Sequence, residues 1–147
     1  MSNTQFAFLK KENVPNREQW QNAIDELDFS VSLKLHPELV PLEDAGFSPC
    51  EWNGTDEDVG FEIFSGPTNE VFDNPDALRE IAGDNDHSIS MCWGGSMKDC
   101  ASAMIAGCAL AKSFGAVISY EGEYAYDSLE ALSKETAEII QDALDES

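Results

Sequence analysis

The chain has 147 residues, 42% of them hydrophobic, with 29 acidic against 8 basic side chains and a formal net charge of −21. That length supports one core and one domain, residues 1–147. The charge disfavours free nucleic acid and anionic membrane as partners.

A binder of basic proteins, a mimic of nucleic acid, a cation-rich setting or a salt-adapted proteome would each produce this balance. The N-terminal stretch MSNTQFAFLKKEN has no apolar run of signal-peptide length, and its lysines follow the apolar residues, so a cytoplasmic location is expected. The longest apolar run, Ala103 to Ala111, spans nine residues, far short of the ~20 that cross a bilayer. Cys50, Cys92, Cys100 and Cys108 form neither a C-x-x-C pair nor a dense secreted framework. Buried free thiols are the expectation.

In chain order, Gln5 to Leu9 predict a short first strand. Asn16 with Gln19 three residues on predicts a capping box, followed by a helix buried through Trp20, Ala23, Ile24 and Leu27. Phe29 to Leu35 alternate as a half-buried strand that His36-Pro37 ends. Phe47 to Trp52 and Val59 to Phe64 form a hairpin across a loop holding Asp56, Glu57 and Asp58. A short helix starts at Asn74-Pro75, with Ala77, Leu78, Ile81 and Ala82 as its apolar stripe and Gly83 as its stop.

Ser88 to Glu121 then reads strand, turn, helix, turn, strand. The helix lacks polar side chains from Ala103 to Ala111, so neighbours should cover most of its sides. Lys98, Asp99, Ser102, Lys112 and Ser113 share an outward arc, opposite Cys100, Ala103, Gly107 and Ala111. A glycine inside a helix costs roughly 1 kcal/mol against alanine, and Gly107 predicts the close approach of another backbone there. The last helix should begin at Asp127-Ser128, with Asp127 and Glu130 as a capping box and Leu129, Leu132, Ile139, Ile140 and Ala143 buried. The fold class this order gives is α+β: a single sheet of about five or six strands carrying helices, built on the unit 88–120. A mixed α/β sheet results if strands 88–93 and 116–120 are parallel neighbours.

Gly94, Gly95 and Ser96 lie between a strand and a helix N-terminus, where backbone N–H groups can bind an anion. The spacing matches neither the dinucleotide fingerprint nor the phosphate loop, and Ser96 serves equally as a helix cap with Asp99 in its first turn. Cys100 near a helix start, with His87 as a distant base, lacks any nucleophile signature. Asp56, Asp58, Gly60 and Glu62 fail the calcium-loop spacing. Asp84, Asp86 and His87 read as a solvated turn. No catalytic residue, metal ligand or cofactor is therefore assigned.

The acidic surface remains. From Glu38 to Asp86 the chain has 14 acidic residues and one basic, Arg79, interleaved with Phe47, Trp52, Phe61, Phe64 and Phe72. Strand alternation must bury some of these aromatics; the others can anchor a basic protein inside an acidic rim. Glu51, Trp52, Asp56, Glu57, Asp58 and Glu62 are the partner-binding candidates, and Gly94, Gly95 and Ser96 the anion-binding candidates.

The segment ISMCWGGSMKDCASAMIAGCALAKSFGAVISYEGE, with the upstream GF and GFEIF segments, resembles a set of small acidic bacterial proteins associated with the immunity proteins of interbacterial toxin systems. The likeness spans roughly half the chain, mostly its core. It implies a cytoplasmic bacterial protein without catalysis and assigns no functional residues. Together with the net charge and the missing catalytic motifs it makes an inhibitor that blocks a basic protein, such as a toxin, the leading expectation. Two other expectations stand beside this one: a nucleic-acid mimic that occupies a DNA-binding protein, and a phosphate-binding domain or enzyme using the Gly94-Gly95-Ser96 turn.

Overall fold

A computed structural model describes residues 3–27, 29–41, 43–54, 59–68, 75–94, 96–120, 124–126 and 128–145. Its elements are β1 (Asn3–Leu9), a 3-10 turn (Lys11–Asn13), α1 (Arg17–Asp25), β2 (Leu33–Lys34), β3 (Gly46–Trp52), β4 (Val59–Pro67), α2 (Pro75–Ala82), β5 (His87–Trp93), α3 (Met97–Phe114), β6 (Val117–Tyr120), β7 (Tyr124–Ala125) and α4 (Leu129–Asp145). The fold is α+β. One sheet runs in the order β2-β3-β4-β5-β1-β6-β7, with every neighbouring pair antiparallel. Five strands of four or more residues make its body, and the two-residue β2 and β7 extend its edges.

β5 and β6, which flank α3, are not neighbours. β1 separates them and pairs with both, so the parallel-neighbour arrangement does not form. The reason lies in the near-continuous apolar run of β1: Ala7, Phe8 and Leu9 are wholly buried, and a strand apolar on both faces belongs in the interior of a sheet. The strand expected from Phe29 to Leu35 shrinks to Leu33–Lys34, because a helix side chain stands where a neighbouring strand would. Gln21 of α1 donates from Nε2 to Leu33 O (2.8 Å) and accepts at Oε1 from Leu35 N (2.7 Å). Arg17 Nη2 adds a bond to Leu35 O (2.7 Å).

α1 begins with the expected capping box: Asn16 Oδ1 accepts from Gln19 N (2.8 Å) and Asn16 N donates to Gln19 Oε1 (3.0 Å). α3 is covered by the sheet, α1 and α4, and all its residues from Ala101 to Leu110 are buried. Ser102 therefore leaves the outward arc assigned to it. Its hydroxyl satisfies itself locally by donating to Asp99 O (2.7 Å). On the α1 side, Trp20 Nε1 donates to Ala106 O (3.1 Å); on the α4 side, Cys108 Sγ meets Thr136 Oγ1 at 3.2 Å. Gly115, at φ 70°, closes the helix in the left-handed conformation that glycine adopts freely.

Gly107 is explained by a side chain rather than a backbone. A Cβ there would collide with the amide of Gln5, a fully buried residue of β1 whose Nε2 donates to Ala103 O (3.1 Å). The glycine is the space in which a strand amide reaches the helix backbone. In α4, Leu132, Thr136, Ile140 and Ala143 are buried, while Leu129 is exposed. Ser128 Oγ accepts from Ala131 N (3.1 Å) as the cap; Asp127, the expected cap, lies outside the described residues.

Candidate binding face

The helices α1, α3 and α4 lie on one face of the sheet, and the opposite face of the β3–β4 hairpin carries most of the candidate residues. Pairing of Phe47 with Glu62 and of Cys50 with Val59 fixes the register. With a side-chain period of two, Ser48, Cys50 and Trp52 turn toward the helices and are buried, whereas Phe47, Pro49 and Glu51 turn outward and are exposed. On β4, Phe61 and Ile63 go in while Glu62 and Phe64 go out. Phe47 is 54% and Phe64 41% exposed. They stand on diagonal positions of neighbouring strands, with the Phe47 ring leaning toward Gly60.

Trp52 does not belong to this face. It is 2% exposed and pairs with the equally buried Leu33, so it packs the core and cannot anchor a partner. Glu51 and Glu62 remain as exposed partner-binding candidates. Asp56, Glu57 and Asp58 lie outside the described residues.

Gly60 makes the aromatic arrangement feasible. A Cβ at that position would strike the Ser48 carbonyl oxygen and stand 3.0 Å from the Phe47 ring, so the bare backbone lets the ring lie across β4. The strand geometry also explains Asp99. β4 and β5 pair through Glu62 and Cys92, a register that places Gly60 opposite Gly94, just past the end of β5. The N–H of Gly60 is instead bonded to Asp99 Oδ1 (3.0 Å) in the first turn of α3. Ser96 caps that turn by accepting from Asp99 N (3.4 Å).

Two recesses adjoin Phe47. One, of about 290 Å³, is lined by Phe47, Gly60, Glu62, Cys92, Gly94 and Asp99 among others. Exposed Gly94 and Ser96 thus flank two carboxylates, an electrostatic setting that disfavours a phosphate there; Gly95 lies outside the described residues. The other recess, of about 320 Å³, is walled by Glu38, Asp44, Phe47 and Ser48 with His36 and Ile63. Asp44 Oδ2 accepts from Val40 N (2.8 Å) and His36 Nδ1 accepts from Glu38 N (3.1 Å). Both bonds fix the loop that closes this recess.

The four thiols are free, as expected, but only Cys50 and Cys108 are buried, while Cys92 and Cys100 are half-buried. Burial pushes Cys50 up to about 12, with Asp99 adding to the shift. Burial also raises Cys100 to about 11, helped by Glu135. Among the described residues no three His, Cys, Asp or Glu side chains form a group able to hold a metal ion. Asp84 and Asp86 fasten the chain after β1: Lys10 Nζ lies 3.4 Å from Asp84 Oδ2, and Lys11 N donates to Asp86 Oδ1 (2.9 Å). No helix among the described residues is long and apolar enough to cross a membrane.

Sequence reasoning named Phe47 and Phe64 only among the interleaved aromatics and did not single out Glu38, Asp44 or Ser48. For the two phenylalanines the signal was present, since Phe47 shares its parity with Glu51, and Phe64 with Glu62. For the recess it was absent, because the loop and β3 meet only through tertiary folding. Comparison of the chain with protein-family models, with curated proteins and with solved structures finds no match of any kind.

Proposed function

We propose that this protein is a non-enzymatic inhibitor of the immunity type, which neutralises a basic protein through the outer face of the β3–β4 hairpin. The observation that carries the reading is the pair of exposed rings, Phe47 and Phe64, on the same face as the exposed carboxylates Glu51 and Glu62. Rigid aromatic anchors inside a charged rim are the usual composition of a tight protein interface. A net charge of −21 accelerates encounter with a cationic partner and repels nucleic acid.

The test captures a basic protein from native cells with the intact chain as bait and measures its binding to variants; recovery of the chain alone would overturn the reading. Phe47→Ala with Phe64→Ala should weaken binding at least about 10-fold while leaving the urea midpoint nearly unchanged. Glu51→Gln with Glu62→Gln should mainly slow association and flatten its salt dependence. Binding that both pairs leave intact removes the hairpin face from the interface.

A further inference from the structure

Among the asparagines of the chain, Asn53 alone is followed by glycine. Asn53 and Gly54 form the turn that ends β3; both are exposed, and both have positive φ, 51° and 74°. Asparagine and glycine are the residues that tolerate this left-handed conformation. Asn53 N donates to Ser32 O (2.8 Å), which holds the residue on its N-terminal side. On the other side it is loose. Among the described residues neither the Asn53 carboxamide nor the Gly54 N–H has a hydrogen bond, and a Cβ added at Gly54 would meet nothing within 4 Å.

We infer that Asn53-Gly54 is a self-modification site, where the chain converts its own side-chain amide into aspartate and isoaspartate by way of a succinimide. The Gly54 nitrogen gives its proton to hydroxide and attacks Asn53 Cγ. A C–N bond forms and closes a five-membered ring, the Cγ–Nδ2 bond breaks, and ammonia leaves with a proton from solvent. Water then opens the ring. Opening at Cγ gives aspartate, whereas opening at the main-chain carbonyl gives isoaspartate, whose backbone runs through Cβ and Cγ. The sum consumes one water and releases one ammonia, with no change of oxidation state.

Glycine serves this closure twice: no following side chain shields the attacking nitrogen, and the turn is free to rotate about the Asn53 Cα–C bond. The other described asparagines are held otherwise. Asn3 donates to Gly94 O and accepts from the Tyr120 hydroxyl, Asn16 caps α1, and Asn85 Nδ2 donates to Ala82 O (2.9 Å). Asn22 is fixed within α1, and Asn13 precedes the branched Val14. Asn69 and Asn74 lie outside the described residues. Either product places a carboxylate two residues after Glu51, and isoaspartate also lengthens the main chain beside the Leu33–Trp52 pair that joins β2 to the sheet.

The experiment incubates the folded full chain in heavy-oxygen water and follows every asparagine by peptide mass mapping. At pH 7.5 Asn53 should be lost first, replaced by aspartate and isoaspartate that each carry one heavy oxygen, and the loss should be slower at pH 5.5, where hydroxide is scarcer. Gly54→Ala should suppress the conversion. Asn53→Gln, whose ring would have six members, should suppress it too and retains the glycine in case alanine disturbs the turn. The chain unfolded in guanidinium supplies the reference. If Asn53 survives in the folded chain while it converts in guanidinium, the fold protects it and the site is overturned. Aspartate formed without isoaspartate would exclude the succinimide, and earlier loss at another asparagine would move the site elsewhere.

Discussion

The two faces of the sheet use similar residues to opposite ends. Toward the helices, Trp52, Phe61 and Ile63 of the hairpin join Trp20 and the small side chains of α3 in one continuous core. Away from the helices, the same two strands present Phe47 and Phe64 to solvent. Burial of a large aromatic contributes a few kcal/mol when it is completed on folding. On the outer face that gain is not realised on folding. A β-hairpin separates the two roles by parity alone, so neighbours in sequence, Glu51 and Trp52, serve different ends.

The sharpest way to break this contrast is from the helix side. Gly107→Leu should abolish folding or cost at least about 3 kcal/mol through overpacking, measured by urea unfolding. Gly107→Ala should cost about 1–3 kcal/mol, and much less in a Gln5→Ala background, because the collision is with that amide. Equal costs in both backgrounds would rule Gln5 out as the cause.

Trp52→Ala should follow at about 3–5 kcal/mol, whereas Phe47→Ala should stay within about 1 kcal/mol and act on binding. A reversed ranking would exchange the two faces. Ser96→Ala should cost about 1 kcal/mol as a lost cap, and a larger loss would give that turn a role beyond capping. Last comes a slope rather than a step. Burial, followed by Lys11, holds His87 below its ordinary 6.5 against the opposing pull of Asp86. The unfolded chain then takes up a proton near 6.5 while the native state resists until lower pH, so stability is complete above 6.5 and falls as the solution is acidified through the native value. Urea midpoints at pH 7.5 and 5.5 should differ more for the wild type than for His87→Gln; parallel loss would sink this account.

Much of the fold was legible because local signals agreed with the global one. The Asn16 capping box, the glycine stop at Gly115 and the all-round apolar helix are properties of short windows. The order of strands was not, since β1 enters between β5 and β6 by burying both its faces, a choice made by the whole sheet. The fate of residues 29–35 was also hidden, because Gln21 substitutes for a strand through two side-chain bonds that no periodicity records. For the candidate residues, composition did not separate the two faces of the hairpin and so grouped buried Trp52 with exposed Glu51 and Glu62. The partnership of Gly107 with Gln5 joins positions too far apart in sequence for spacing to reveal.

Pro49 bears on the colloidal behaviour of such a surface. β2 covers only Glu51 and Trp52 of β3, so on that side the stretch from Gly46 to Cys50 meets no other strand among the described residues. An uncovered edge beside two bare phenylalanines invites another chain to add itself in register. Proline has no N–H to offer at the middle of that edge, and mutual repulsion between molecules of charge −21 keeps copies apart. Both features oppose self-addition at this edge while Phe47 and Phe64 stay uncovered.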